Sequence, residues 1–298
     1  MSDLISRRIE PRARDLGGGF RVRRVLPFHA QRMVGPFVFF DHFGPVAYAP
    51  GEGFDVRPHP HIGLSTVTYL FEGAIEHRDS LGTDLVIRPG AVNWMTAGHG
   101  IVHSERTPAP EREAGQTMHG LQTWVALPKT HEGVPPAFDH HPADTLPEFE
   151  RQGARMRVLA GEAFGHVSPV QFPWPILYVA FEADDGANLI VPGALAEERA
   201  IYLVNGSAEI EGQTFEEGQM LVLSDGADVA IRLAPGTKGV ICGGAVMDGP
   251  RKIEWNFVAS DQALIDEAKQ DWQNSAGSGG SDRFPTVPGD KDEWIPLP

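Results

Sequence analysis

Two pairs of side chains in this sequence have the types and spacing to hold a metal ion. RPHPHIG supplies His59 and His61, and GIVHSERT supplies His103 and Glu105. Each pair is spaced i, i+2, and on an extended strand alternate side chains point to one face, so each pair can present two ligands to one point. Two such strands facing each other inside a barrel would bring three imidazoles and one carboxylate together. Three neutral nitrogens and one anionic oxygen suit a divalent first-row metal, and a set without thiolate argues against a closed structural zinc site. Four protein ligands on an octahedral ion leave two adjacent positions. A redox-active iron could there hold a substrate oxygen beside dioxygen, as oxygenase chemistry requires. A surface His-Pro-His turn with no metal is the plainer reading of the first pair alone; the second pair weighs against it.

The elements that must position these pairs read mostly as short strands. Gly 34 and Pro 25 make about a fifth of the chain helix-breaking, so long helices should not dominate. Runs such as FVFFDHF (37–43), STVTYLF (65–71), GLQTWVALP (120–128), ILYVAFEA (176–183) and MLVLSDG (220–226) are rich in β-branched and aromatic residues and bounded by turn formers. Many such strands at this spacing predict a sandwich or barrel. One segment differs: SDQALIDEAKQDW (260–272) predicts an amphipathic helix with Ser260 as its N-cap and Leu264, Ala268 and Trp272 on one face. The Pro-, His- and acid-rich stretch 129–150 is the expected interdomain connection. After the helix an extended tail is expected, its GSGG a flexible linker, since no strand precedes it and no helix follows to make a phosphate loop.

At 298 residues the chain is long enough for two domains, and it repeats itself. Tyr69-Leu70 with Gly73 and Glu76 recurs as Tyr202-Leu203 with Gly206 and Glu209, an offset of 133; Gly90 and Gly98 recur as Gly218 and Gly226, an offset of 128. The 12 histidines all lie between His29 and His166. The same offsets carry His59 and His61 onto Pro192 and Ala194, and His103 and Glu105 onto Ile231 and Leu233, none of which can bind a metal through its side chain. The expected organisation is therefore a metal-binding barrel over 1–140, a second barrel without ligands over 141–250, and a strand, helix and extended tail over 251–298.

Charge and composition narrow the partners. The formal net charge of −15 repels phosphate backbones, so direct nucleic-acid binding is not expected. The sequence offers no apolar run long enough to cross a bilayer and no secretory leader at its start, and its single cysteine, Cys242, cannot form an internal disulfide; a cytoplasmic protein without a membrane partner is the expectation. Among other polar residues, His42 reads as a strand-end histidine bonded to backbone, His99 as a turn residue, and His140-His141 as solvated loop. His77, Arg106, His119 and Gln122 are unranked candidates for orienting the ligands by hydrogen bonds. Trp94, Met95, Phe37 and Phe39 read as core.

The runs HPHIGLSTVTYLFEG, NWMTAGHGIVHSE, HGLQTWVALP and PFVFFDHFGP together resemble the pirin family, a branch of the bicupin superfamily, over most of residues 20–270. The resemblance implies an all-β fold of two tandem cupin (jelly-roll-type) β-barrels with a short C-terminal helix. It implies Fe(II), with Mn, Ni, Cu or Co as alternatives, bound in the N-terminal barrel by His59, His61, His103 and Glu105. It also implies an activity like quercetin 2,3-dioxygenase, in which a flavonol-like aromatic substrate is opened by dioxygen with loss of carbon monoxide. Glu105 is then the first choice for general base, with a fixed ligand as the blander role. The alternative is a non-catalytic, iron-binding, redox-sensitive regulator that docks on another protein; a metal-free structural bicupin would leave the four side chains unexplained. One departure is Ser65, where many pirins carry Glu. The ligand role falls to Glu105 in the family pattern, so the change alters charge near the site more than metal binding.

Overall fold

The computed structural model describes residues 3–15, 21–275 and 279–298. They form two compact units interleaved along the chain. One comprises Asp15–Arg21, Phe43–His140 and Asp248–Pro298; the other comprises Met1–Arg14, Val22–His42 and His141–Met247.

In the first unit, strands Asp55–His61, Ile101–Arg106, Ile75–Asp79 and Asp84–Ile87 lie side by side in that order, all antiparallel. A second sheet orders Val92–Thr96, Leu64–Glu72, Gln116–Ala126 and Phe37–Tyr48, the last of which enters this unit at Phe43. In the other unit, Ala187–Val191, Val229–Leu233, Ser207–Ile210 and Gln213–Glu216 repeat the first arrangement, and Met220–Leu223, Glu198–Asn205, Thr237–Gly244 and Ile176–Ala183 repeat the second. The strand order is the same element for element, so the offsets of 128 and 133 mark a duplicated cupin barrel, and the fold is all-β with two tandem barrels.

The duplicates differ in what fills them. Ile231 and Leu233, which stand where His103 and Glu105 stand in the first barrel, are buried with Leu189, Val191, Phe215 and Val229 in one continuous apolar core. Burial of such side chains contributes about 1.5–3 kcal/mol each. This barrel encloses aliphatic packing where its twin encloses imidazoles.

The C-terminal segment belongs with the histidine-bearing unit. A hairpin of Lys252–Glu254 and Phe257–Ala259 leads into helix Gln262–Ser275. The helix starts after Asp261, whose carboxylate accepts the Ala263 N–H, and not after Ser260 as expected. Ser260 is occupied instead, donating both its N–H and its hydroxyl to Glu132 at 2.7 Å. The buried face runs through Ile265, Ala268 and Trp272, while Leu264 is 37% exposed. That face packs with Ile62, Val102, Phe257, Phe284 and Val287. The tail thus lacks regular structure as expected, yet Phe284 and Val287 anchor it in a core; within GSGG, Gly277 and Ser278 lie outside the described residues. A short helix, Ala109–Ala114, has no sequence signal because it buries no residue and so shows no apolar stripe. The 129–150 stretch carries two single-turn helices and strands Ala137–His141 and Glu148–Arg151, and the chain passes between units at His140–His141 within it.

Candidate metal centre

His59 and His61 sit on strand Asp55–His61 and His103 on its neighbour Ile101–Arg106, with His103 directly opposite His59 and Ile101 opposite His61. Residues opposite one another in an antiparallel pair share a face, so the register turns all three imidazoles inward. Their ring centroids are 4.3 Å (His59–His103), 5.0 Å (His59–His61) and 5.0 Å (His61–His103) apart. One ring nitrogen from each lies within 4.8 Å of the others.

The hydrogen bonds show which nitrogens these are. His59 Nδ1 meets the Arg57 carbonyl at 2.9 Å, and His61 Nδ1 meets the Asn256 carbonyl at 3.0 Å. A carbonyl only accepts, so Nδ1 carries the proton in both rings and Nε2 keeps its lone pair. His103 Nδ1 meets His77 Nδ1 at 3.4 Å, and its Nε2 is buried without a hydrogen-bond partner. A buried, unpartnered nitrogen is costly in a folded protein, and here it points to the same place as two others. The donor set fits a cation. Burial lowers His59 to about 4 and holds His61 and His103 well below the ordinary histidine range, so at neutral pH the rings are in the uncharged form that coordinates.

Glu105 follows on the same strand, after a bulge between His103 and Glu105, and faces His77 across the next pairing. It is buried, and burial pushes its carboxyl up to about 7. It is not within the 4.8 Å group, so the structure draws the three expected imidazoles tightly together and sets Glu105 farther out.

The neighbouring sheet supplies the surface that looks onto this group. The Trp124 ring stands edge-on to His61 with centroids 5.2 Å apart. Trp124 is paired with Thr66 and Thr66 with Met95; Gln122 is paired with Thr68 and Thr68 with Asn93. All six therefore share one face. Thr68 donates to Gln122 Oε1 at 2.8 Å, and Asn93 Oδ1 lies 2.7 Å from His140 Nδ1. A buried face carrying two hydroxyls, two amides and an indole differs from the apolar interior of the second barrel. Ser65, by contrast, is fully buried and bonds Thr96 at 3.1 Å.

Of the candidates for orienting the histidines, His77 is set against His103. Arg106 grips Asp290 of the tail through two bonds of 2.7 Å, and Gln122 pairs with Thr68. His119 lies against Phe71 with centroids 5.1 Å apart. His42 Nδ1 meets the Tyr202 hydroxyl at 2.8 Å. His99 is exposed in a turn. His140 belongs to a strand and bonds Asn93, a correction to the loop reading. Trp94, Met95, Phe37 and Phe39 are buried, Met95 on the face it shares with Trp124. Sequence reasoning missed Asp79, although its i, i+2 spacing from His77 was a usable signal, and it missed Asn256, whose contribution is a backbone carbonyl that no side-chain pattern reveals.

Glycine holds the approach of the C-terminal segment. Gly63, just after HPHI, has φ +67°, and a Cβ there would lie 1.9 Å from the Val258 carbonyl oxygen. Any side chain at that position would push the hairpin that carries Asn256 away from His61.

Two duplicated barrels, one with a convergent histidine triad able to hold a metal ion, define a bicupin with one candidate metal group among the described residues. Comparison with known proteins gives the family. The Pirin family model matches residues 19–125 and the Pirin C-terminal cupin domain matches residues 178–277; the chain belongs to the pirin family. It is 48% identical to a pirin-like protein of Caulobacter vibrioides over 302 residues, covering 100% of both chains. A Pseudomonas aeruginosa protein carrying the name quercetin 2,3-dioxygenase as a provisional assignment is 37% identical over 98% of this chain and 90% of its own. The crystal structure of a quercetin 2,3-dioxygenase from Acinetobacter baumannii superposes with a TM-score of 0.90 at 35% identity, covering 99% of this chain and 95% of that one. No helix among the described residues is long and apolar enough to cross a membrane.

Proposed function

We propose that this chain is a metal-dependent dioxygenase of the pirin type that opens flavonols such as quercetin with dioxygen. His59, His61 and His103 are the imidazole ligands, Glu105 is the fourth ligand and the general base, and Fe(II) is the resident ion. The observation that carries the reading is the convergence of three buried imidazoles, His59 and His61 tethered through Nδ1 to carbonyls and His103 with an unpartnered Nε2, beside a face that is part aromatic and part hydrogen-bonding. Relatives named for quercetin 2,3-dioxygenase support the substrate class.

The iron would supply Lewis acidity and the one-electron chemistry by which triplet dioxygen can react with a closed-shell phenolate. The chain's own residues bind and prepare the substrate. Glu105, buried on the strand that carries His103, is the carboxylate that would take the enolic proton of a flavonol on loosening from the metal. Trp124 offers a flat apolar surface for the ring system, and Thr68, Gln122 and Asn93 offer donors and acceptors for its hydroxyls.

Metal-stripped protein reconstituted separately with Fe(II), Mn, Ni, Cu and Co should be assayed for quercetin loss, oxygen uptake and carbon monoxide release. Stoichiometric quercetin and oxygen consumption that disappears in His61→Ala supports the enzyme. Full metal occupancy with no turnover would overturn it in favour of a metal-binding regulator.

A further inference from the structure

Behind His103 stands a second hydrogen-bonded layer, built on strand Ile75–Asp79. The register places Asp79 opposite His103 and His77 opposite Glu105, so both face the histidine group. Asp79 Oδ2 lies 3.0 Å from His77 Nε2, and His77 Nδ1 lies 3.4 Å from His103 Nδ1. Asp79 is fully buried, and its other oxygen is fixed by the N–H groups of Leu81 (2.9 Å) and Thr83 (3.1 Å). The His77 ring is stacked on Phe138 with centroids 4.5 Å apart and planes 23° apart. Asp79 and His77 are therefore each held in place by something other than the line itself.

We propose that Asp79 and His77 are positioning residues: a hydrogen-bond relay from the Asp79 carboxylate fixes His103 in its Nδ1–H form and so presents the His103 Nε2 lone pair to the metal. The inference rests on the metal reading of the site and adds two residues to it. Its logic is one of donors and acceptors. A carboxylate only accepts, so His77 must donate through Nε2. A neutral His77 then has a bare Nδ1, which only accepts, so His103 must donate through Nδ1. The unpartnered His103 Nε2 is what remains. His59 and His61 reach the same form through backbone carbonyls. His103 alone reaches it through side chains, so its form can be inverted by substitution.

Asp79→Asn is the decisive variant. The amide oxygen can keep the Leu81 and Thr83 bonds, while the amide nitrogen now donates to His77 Nε2. That forces His77 to donate through Nδ1 and His103 to carry its proton on Nε2, which blocks coordination. Long-range proton–nitrogen correlation spectra of the 15N-labelled, metal-free parent should show His77 as Nε2–H and His103 as Nδ1–H; the variant should show both reversed. Ni(II) titration calorimetry should show binding weakened about 10–100-fold. His77→Phe keeps the stacking on Phe138 but leaves the buried Asp79 Oδ2 without its imidazole partner, so it should lower the melting temperature and, in the protein that remains folded, weaken Ni(II) binding. A parent spectrum with His103 as Nε2–H overturns the relay even if no variant folds. So does unchanged Ni(II) affinity in His77→Phe. A parent that binds no metal but shows the expected forms would refute the metal reading while leaving the hydrogen-bond line intact.

Discussion

His61 Nδ1 donates to the carbonyl of Asn256, 3.0 Å away and 195 residues later in the chain. One imidazole of the triad is thus oriented by a hairpin beyond the second barrel's sequence. The hairpin is seated by an N–H of Val258 on the Ile62 carbonyl at 3.2 Å and by Phe257, which is fully buried.

Gly63→Ala tests that seating. The left-handed backbone and the 1.9 Å approach to Val258 both oppose a side chain. The substitution should cost about 2 kcal/mol or more and should weaken metal binding through loss of the Asn256 contact. Thermal melting and a metal titration on the same samples would check both effects.

Glu105 gives the metal affinity a pH dependence. Its carboxyl sits at about 7, so below that pH it must release a proton when it coordinates. Affinity should rise by up to about tenfold per pH unit from pH 5 to 7 and then level off, because each unit of proton competition is worth about 1.4 kcal/mol. The histidines add little slope there, since His59 is lowered to about 4 and the other two lie well below the ordinary range. Glu105→Gln should bind more weakly above pH 7 and lose most of the slope. Calorimetry in buffers of different ionisation enthalpy would count the protons released.

The histidine group was legible in the sequence only in part. An i, i+2 spacing on a strand needs only local geometry and paired His59 with His61 and His103 with Glu105, but the bulge between His103 and Glu105, which no spacing rule reveals, leaves the carboxylate outside the group that the three imidazoles form. The barrel duplication was legible because glycines at strand ends recur where the same turns recur. The rest depended on contacts remote in sequence. Neither the Asn256 carbonyl nor the Glu132 carboxylate that takes Ser260 from its expected cap leaves a periodic signature. The ranking of His77 above Arg106, His119 and Gln122 needed the pairing of strand Ile75–Asp79 with Ile101–Arg106, which fixes who faces whom.

The second barrel should respond to substitution in stability alone. Ile231→Ala removes a side chain that is 2% exposed in a continuous core and should cost about 2–5 kcal/mol. Metal stoichiometry at temperatures below the transition should stay at the parent value. Denaturant unfolding alongside elemental analysis would check both, and metal loss in the folded variant would count against separate roles for the barrels.

Cys242 should be silent in the native protein. It is fully buried on strand Thr237–Gly244, and burial pushes its thiol up to about 12, so both access and thiolate are lacking. A thiol reagent at pH 8 should react with less than a tenth of the protein until denaturant is added, measured by absorbance of the released chromophore.

The tail that Arg106 holds through Asp290, and whose Ile295 N–H bonds the Pro58 carbonyl at 2.8 Å, gives the site an order of assembly. Strands bearing the three histidines leave the ribosome before His141–Met247 of the second barrel, and the residues that brace them follow it. Completion of the centre is therefore a late event in biosynthesis, and an ion captured by a nascent chain would meet a looser, more readily exchanged cluster than the finished protein offers.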